Sequence, residues 1–149
     1  MRHCRLLVER LYLNGVALDI SVGHVLVVER DNKLFFEAYP TYEDIDGDGE
    51  LDIRFKPDAI DYYGYFESGF CYTHTGTHFQ PTSRGVDKKC TADAGAWSGD
   101  LLNYVTMTRM DTLLRALYGG KRIVDTPSRT VLRRAFVPWE NHTWGSEYT

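Results

Sequence analysis

Apolar positions along the chain change period several times, and each change marks an element. Leu6 to Leu13 is a short helix or strand ended by Asn14-Gly15. Val25-Leu26-Val27-Val28 is a continuous apolar run, the pattern of a strand buried on both faces. After a charged turn over Glu29 to Lys33, Leu34-Phe35-Phe36 with Ala38 and Tyr39 predicts a second strand, stopped by Pro40. Leu51, Ile53 and Phe55 alternate with polar neighbours and predict a strand with these three side chains inward, broken by Lys56-Pro57-Asp58. Asp61-Tyr62-Tyr63-Gly64-Tyr65-Phe66 is an aromatic cluster with a hinge glycine; core packing is its ordinary role, a sugar-binding platform its functional one. Cys71 to Ala96 has little periodicity and reads as a long loop.

The clearest helix opens at Ser98-Gly99-Asp100, with Ser98 as cap and Asp100 at the positive end of the dipole, and stops at Gly119-Gly120. Met107, Met110, Leu114, Leu117 and Tyr118 form one stripe, while Leu101, Leu102 and Val105 point to a second side. The pattern predicts a buried central helix in which Leu114 and Leu117 are core and Asp111 pairs with Arg115 at the surface. A shorter helix is predicted from Pro127 to Phe136, with Thr126 as cap and Pro138 as stop.

The strongest chemical signal lies between the predicted strands. In Asp44-Ile45-Asp46-Gly47-Asp48-Gly49-Glu50-Leu51-Asp52, carboxylates stand at positions one, three, five and nine, glycine at six, and the Glu50 carbonyl at seven. That is the spacing of a calcium loop, which turns alternate oxygens toward one ion. An EF-hand has a bidentate Glu at position twelve, where this chain has Phe55, so the pattern is nearer to calcium loops between strands. The expected ligands are Asp44, Asp46, Asp48, the Glu50 carbonyl and Asp52, with a Kd of roughly 10⁻⁴ to 10⁻³ M. The bland alternative is a doubled Asp-Gly hairpin turn that binds nothing.

Composition narrows the setting. A chain of 149 residues with 43% hydrophobic residues suits one ordinary core, and no apolar run approaches a membrane span. Setting aside the six acids between Glu43 and Asp52 leaves 15 acidic against 17 basic residues, with no basic stripe for nucleic acid. Of three cysteines, Cys71 and Cys90 flank the Thr/Gly/Ser-rich loop as a disulfide would, and Cys4 stands apart. Cys71, His74, His78 and Cys90 also offer two thiolates and two imidazoles, a donor set for zinc. A disulfide and a weak calcium site both suit an extracytoplasmic setting. Residues 1–10 do not read as a signal peptide as written, which points to a fragment or to another start. Asp19-Ile20-Ser21-Val22-Gly23 approaches the Asp-x-Ser-x-Ser adhesion metal motif but has Gly in place of the last Ser, and a turn between strands explains it more simply. No Ser/His/Asp order, nucleophile elbow or phosphate loop is discernible, so the chain is not read as an enzyme.

The run from Trp97 through Asp111, then Leu113, Leu114 and Leu117 to Arg122, resembles the N-terminal region of PilY-type proteins, the tip-associated adhesins and assembly factors of type IV pili. Asp44 to Asp52 with Lys56-Pro57, Tyr63 to Phe66 before Cys71-Tyr72, and Val124 to Pro138 match in the same order. The resemblance covers roughly 24–148. It implies an exported protein with a von Willebrand A-like N-terminal half and a C-terminal β-propeller that this chain does not contain. The fold expected from it is α/β: a partial von Willebrand A-like domain over 24–149, with residues 24–28 as first core strand and 98–118 as first core helix. The calcium-loop hairpin and disulfide loop form an insertion over 40–97, and 1–23 stay outside; the alternative is an irregular α+β fold. Glu29 to Lys33 stands where the family's adhesion metal motif would follow the first strand, so no such site is expected. The implied function is a calcium-binding structural and adhesive module of the pilus tip or cell surface, with minor pilins or other pilus components as partners and a host or abiotic surface as target. A free-standing calcium-binding module is the other reading.

Overall fold

A computed structural model describes residues 11–13, 16–18 and 32–137, in two compact units, 1–31 and 32–149. In the first unit, β1 (Leu11–Leu13) pairs antiparallel with β2 (Val16–Leu18), Leu11 opposite Leu18 and Leu13 opposite Val16. The end of the Leu6–Leu13 segment is thus strand. Residues 24–28, the Asp19–Gly23 motif and Cys4 lie outside the described residues.

Among the described residues, the second unit contains two α-helices, a three-stranded and a two-stranded antiparallel sheet, and one disulfide. It opens with a short 3-10 helix, Asn32–Phe35, where the sequence predicts a strand. A strand needs backbone beside it. Here that backbone is only a two-residue break between helices: Ala38 N–H donates to the Met107 carbonyl (3.0 Å), Arg109 N–H to Phe36 (3.0 Å), and Glu37 bridges Thr108.

That break is itself a correction, because the predicted single helix is two: α1 (Gly99–Thr106) and α2 (Arg109–Tyr118). Met107 and Thr108 are extended, and Thr108 and Asp111 form a capping box that starts a new helix. Ser98 sits at the cap position of α1 without a side-chain bond to it. Gly119 ends α2 at φ 84°, its N–H reaching Arg115 and that of Gly120 reaching Leu114, so this stop is as predicted. The apolar stripe of α2 is not core: Leu117 is 48% exposed and Tyr118 53%. Nor does Asp111 pair with Arg115. Asp111 is fully buried in its capping box and accepts from Ala135 N–H (2.7 Å), while Arg115 reaches Glu67 (3.4 Å).

Within the expected loop, β3 (Phe70–His74) pairs with β4 (Phe79–Arg84) and with β5 (Trp97–Ser98). Most of β4 faces solvent, so no apolar alternation marks it in the sequence. The Cys71–Cys90 disulfide ties β3 to the return chain, with Cα atoms 5.7 Å apart. The predicted 127–136 helix is instead a hairpin, β6 (Arg122–Thr126) with β7 (Arg129–Leu132). Thr126 Oγ1 accepts from Arg129 N–H (3.0 Å) and donates to its carbonyl (3.1 Å) around Pro127-Ser128. Thr-Pro suits a tight turn as well as a helix start, and the β-branched residues on both sides favour strands.

The core is small and aromatic. Ile60, Tyr62, Leu101 and Tyr104 are buried together, with Tyr39, Ile45, Phe55 and Val105 packed around them. Tyr62 is the hub, its ring 4.9 to 5.2 Å from those of Tyr39, Phe55 and Tyr104. Core packing is therefore what this tyrosine of the 61–66 cluster does.

Candidate metal site at the acidic loop

The acidic loop folds by turning its own amides onto its carboxylates. Asp44 accepts from Gly47 N–H (2.6 Å) and Gly49 N–H (2.9 Å), Asp46 from Asp48 N–H (3.2 Å), and Asp48 from Glu50 N–H (2.8 Å). Gly47 and Gly49, at φ 78° and 90°, permit the tight path. Asp52 closes the loop: its N–H donates to the Glu43 carbonyl (3.0 Å) and its Oδ2 accepts from Ile45 (2.6 Å) and Asp46 (3.2 Å). Asp52 is 2% exposed, whereas Leu51 and Ile53 are about half exposed. The predicted inward alternation thus fails at Leu51 and Ile53 and holds at Phe55, which packs on Tyr62, and the segment is not a strand. One buried carboxylate that serves two amides fixes this segment more firmly than two aliphatic side chains would.

The loop's charge is met by Lys56. Its Nζ lies 2.5 Å from Asp52 Oδ1 and 3.2 Å from both Asp46 Oδ2 and Asp48 Oδ2. The core places it there: Lys56 N–H donates to Tyr62 Oη (3.0 Å), and a turn from its carbonyl to Ile60 N–H holds the backbone. The hydrogen bond to Asp52 raises the ammonium's pKa above the ordinary lysine value, and the same bond lowers that of Asp52. Asp48 is lowered chiefly by the Glu50 amide and then by Lys56.

Of the predicted ligands, Asp44, Asp46 and Asp48 converge, with one carboxylate oxygen of each within 4.8 Å of the others. Oxygens around one calcium ion at 2.3–2.6 Å are separated by at most about 5 Å, so these three suit a hard divalent cation. Asp52 reaches the same region through Lys56 rather than as a free acceptor. The carboxylate of Glu50 is exposed and outside the group. Lys56, which reads in the sequence as part of a strand break and of the family match, is the partner of the loop that pattern reasoning misses. Its signal is a lysine four residues after the last Asp of an acidic run.

A second polar cluster holds the backbone of Tyr62 and Phe66. Asn103, fully buried on α1, donates to the carbonyls of Tyr62 (2.7 Å) and Phe66 (2.8 Å) and accepts from Phe66 N–H (3.0 Å). Gly64 allows that approach, since a Cβ there would lie 2.3 Å from Asn103 Oδ1. It is a close-contact glycine rather than a hinge. Asp100, also fully buried, accepts from Tyr62 N–H (3.1 Å), and burial raises its carboxyl pKa. Lys88 faces this buried cluster, its Nζ 2.5 Å from the Pro57 carbonyl, 3.0 Å from that of Ile60, 2.6 Å from Asp61 Oδ1 and 3.6 Å from Asp100 Oδ2.

The alternative zinc set is not assembled. Cys71 and Cys90 are bonded to each other, and His74 and His78 bond locally with Gly76, Thr75 and Thr77.

The sequence model of a family described as "PilY1 homolog, small alpha/beta domain" matches residues 52–149. The converging aspartates therefore lie just before the matched stretch. Two proteins of Xylella fastidiosa (strain Temecula1 / ATCC 700964), each named type IV pilus biogenesis factor PilY1 homolog, are similar to the chain. One is 53% identical over 127 residues, 83% of this chain and 8% of that protein. The other is 31% identical over 86 residues, 52% of this chain and 7% of that protein. The chain thus spans less than a tenth of the length of these curated relatives. No solved structure matches. Among the described residues, no helix is long and apolar enough to cross a membrane. By the match over residues 52–149 and by these identities, the chain belongs to the PilY1-homolog family, in its small alpha/beta domain.

Proposed function

We propose that the chain is a calcium-binding structural and adhesive module of a type IV pilus biogenesis factor, working outside the cytoplasm at the pilus tip or cell surface. The observation that carries this reading is 53% identity over 127 residues to a protein named as such a factor. Its partners are minor pilins or other pilus components, and it acts by binding rather than catalysis. Calcium is supported by the convergence of Asp44, Asp46 and Asp48 on a loop whose amides already orient the carboxylates. An entering ion displaces the Lys56 ammonium and supplies two charges where the lysine supplies one. The von Willebrand A-like arrangement over 24–149 belongs to the same proposal, with 24–28 as its first strand and α1–α2 in place of one core helix. An experimental structure of the whole chain tests it: no strand over 24–28 beside these helices removes that arrangement.

Two experiments test the function. Deleting these residues from a full-length pilus factor is expected to abolish surface pili or twitching without loss of the protein from the envelope. Retention of both would refute the pilus role. Excess calcium is expected to raise the melting temperature of the purified chain, and Asp46→Ala to remove that rise; an identical wild-type curve with and without calcium removes the metal site.

A further inference from the structure

A second surface lies away from the acidic loop. A groove of about 880 Å³ runs between β4 and β7. Its walls are uninterrupted runs of chain, residues 77–81 on one side and 128–133 on the other. A strand shows alternate residues on each face, so consecutive lining residues mean that the groove follows strand edges. Among the described residues both edges are open: β4 is outermost in the order β4-β3-β5, and β7 has only β6 beside it. Phe66, Tyr72 and Phe79 give the groove an aromatic lining, the Phe66 and Phe79 rings 5.6 Å apart. Arg129 and Arg133 stand along the β7 wall, and no carboxylate lines the groove.

We propose that this groove takes up an extended strand from another polypeptide, apolar on one face and bearing carboxylates on the other. The guest adds to the open edge of β7, whose unpaired backbone groups are a template for a further strand. Pro81 has no N–H to offer, so the β4 edge gives no equal ladder and contributes side chains instead. Strand alternation fixes the guest's chemistry. Arg129 in β7 and Arg133 just past its end are four residues apart, an even spacing that in extended backbone puts them on one side with Val131, while Leu132 falls on the other. Carboxylates on the guest's matching side meet the two guanidiniums, and its apolar side covers Leu132 and the aromatic lining. The chain carries a net charge of −4, so this locally positive groove is where an acidic strand is drawn rather than repelled.

The test uses the full chain and a fluorescein-labelled peptide, Thr-Val-Glu-Val-Glu-Val-Thr, read by fluorescence anisotropy. The peptide is expected to bind. Lysine in place of both glutamates should weaken it at least tenfold, as should N-methylation of alternate backbone amides with side chains unchanged. Arg129→Glu with Arg133→Glu, both exposed positions, should leave the melting temperature unaltered and reverse the preference toward the lysine peptide. Absence of binding at the highest soluble peptide concentration overturns the proposal, as does equal binding of the N-methylated peptide. A photo-cross-linker at the exposed edge, Gln80→p-benzoylphenylalanine, names the occupant. Capture of the peptide supports the proposal; capture of a second copy, or of residues 138–149 of the same chain, overturns it.

Discussion

The acidic loop and the face of α1 solve the same problem with opposite means. In both, side-chain oxygens take up the amides of a chain segment that has no strand beside it. In the loop the oxygens are charged and crowded, exposed at Asp48 but covered at Asp52, and one ammonium from Lys56 offsets them. At α1 a neutral amide, Asn103, and a carboxylate whose pKa burial raises, Asp100, do the work in the interior. The lesson is where exchange is cheap. Exposed oxygens can trade Lys56 for an ion or water, whereas a buried amide that loses its partners has no substitute.

The largest expected effect breaks the buried side. Asn103→Ala strands two carbonyls and one N–H, each worth about 1–3 kcal/mol when left unpaired, so a loss of roughly 3 kcal/mol or more is expected. That is a fall in melting temperature of about 6–12 °C for a chain of this size. A variant that melts within two degrees of wild type would show that water replaces the amide, and the contrast would collapse.

The disulfide sharpens the comparison, because Cys90 lies two residues after Lys88, whose ammonium faces Asp100 of the buried cluster. Cys90→Ser opens a closure of 19 residues and should cost about 3 kcal/mol, through the unfolded state. Melting with and without reductant measures it, and non-reducing mass spectrometry shows whether the bridge is present. An unchanged melting curve after reduction would detach the disulfide from the stability of either cluster.

A smaller effect tests whether the buried break at Met107-Thr108, and not the apolar stripe of α2, holds the helices. Leu117→Ala should cost less than about 1 kcal/mol, since its side chain is 48% exposed. Met107→Ala, 2% exposed at the break, should cost about 2–5 kcal/mol. Urea titration of both variants decides the order, and a reversal would return α2 to the core.

The last comparison is at the loop, where Lys56 offsets Asp52 and Asp48. Asp52 and Asp48 have pKa values below the ordinary carboxylate value. Their contribution is therefore present above the unfolded-state pKa, near 4, and lost as pH falls through the lower folded values. Asp100 runs the other way: its pKa is raised, so it favours folding below the unfolded value and loses that as pH rises through the folded one. Lys56→Met should make the acid limb of stability shallower and lower the neutral melting point with it, because the Asp52 carboxylate, 2% exposed, keeps its charge without its cation. It should also tighten calcium binding by removing a competing cation. A steeper acid limb in the variant would contradict the assigned role of Lys56.

Much of the acidic loop was legible because its signal is local. Asp at every second position with Gly between already dictates which amides meet which carboxylates, and Asp44, Asp46 and Asp48 do converge. The disulfide was legible from two flanking cysteines, and the Gly119 stop from its left-handed backbone. By contrast, the break at Met107-Thr108 was written in Thr108 and Asp111 but overshadowed by an unbroken apolar stripe, which a helix period reads as one element. The 122–132 hairpin was hidden because Thr126-Pro127 opens a turn or a helix alike, and only strand pairing chooses.

What the sequence determined by itself was therefore the content of short stretches: the loop's own hydrogen bonds, the helix stop, and the cysteines available to pair. What only the tertiary structure decided was which side chains face one another across long separations. Asn103 meets the backbone 37 to 41 residues away, and Asp111 receives Ala135. Asp52 points in where Leu51 and Ile53 point out, and there its carboxylate meets the amides of Ile45 and Asp46 and the Lys56 ammonium. The physical reason is that local pattern reports how apolar a face is, whereas burial of a polar group depends on the partner that folding brings to it.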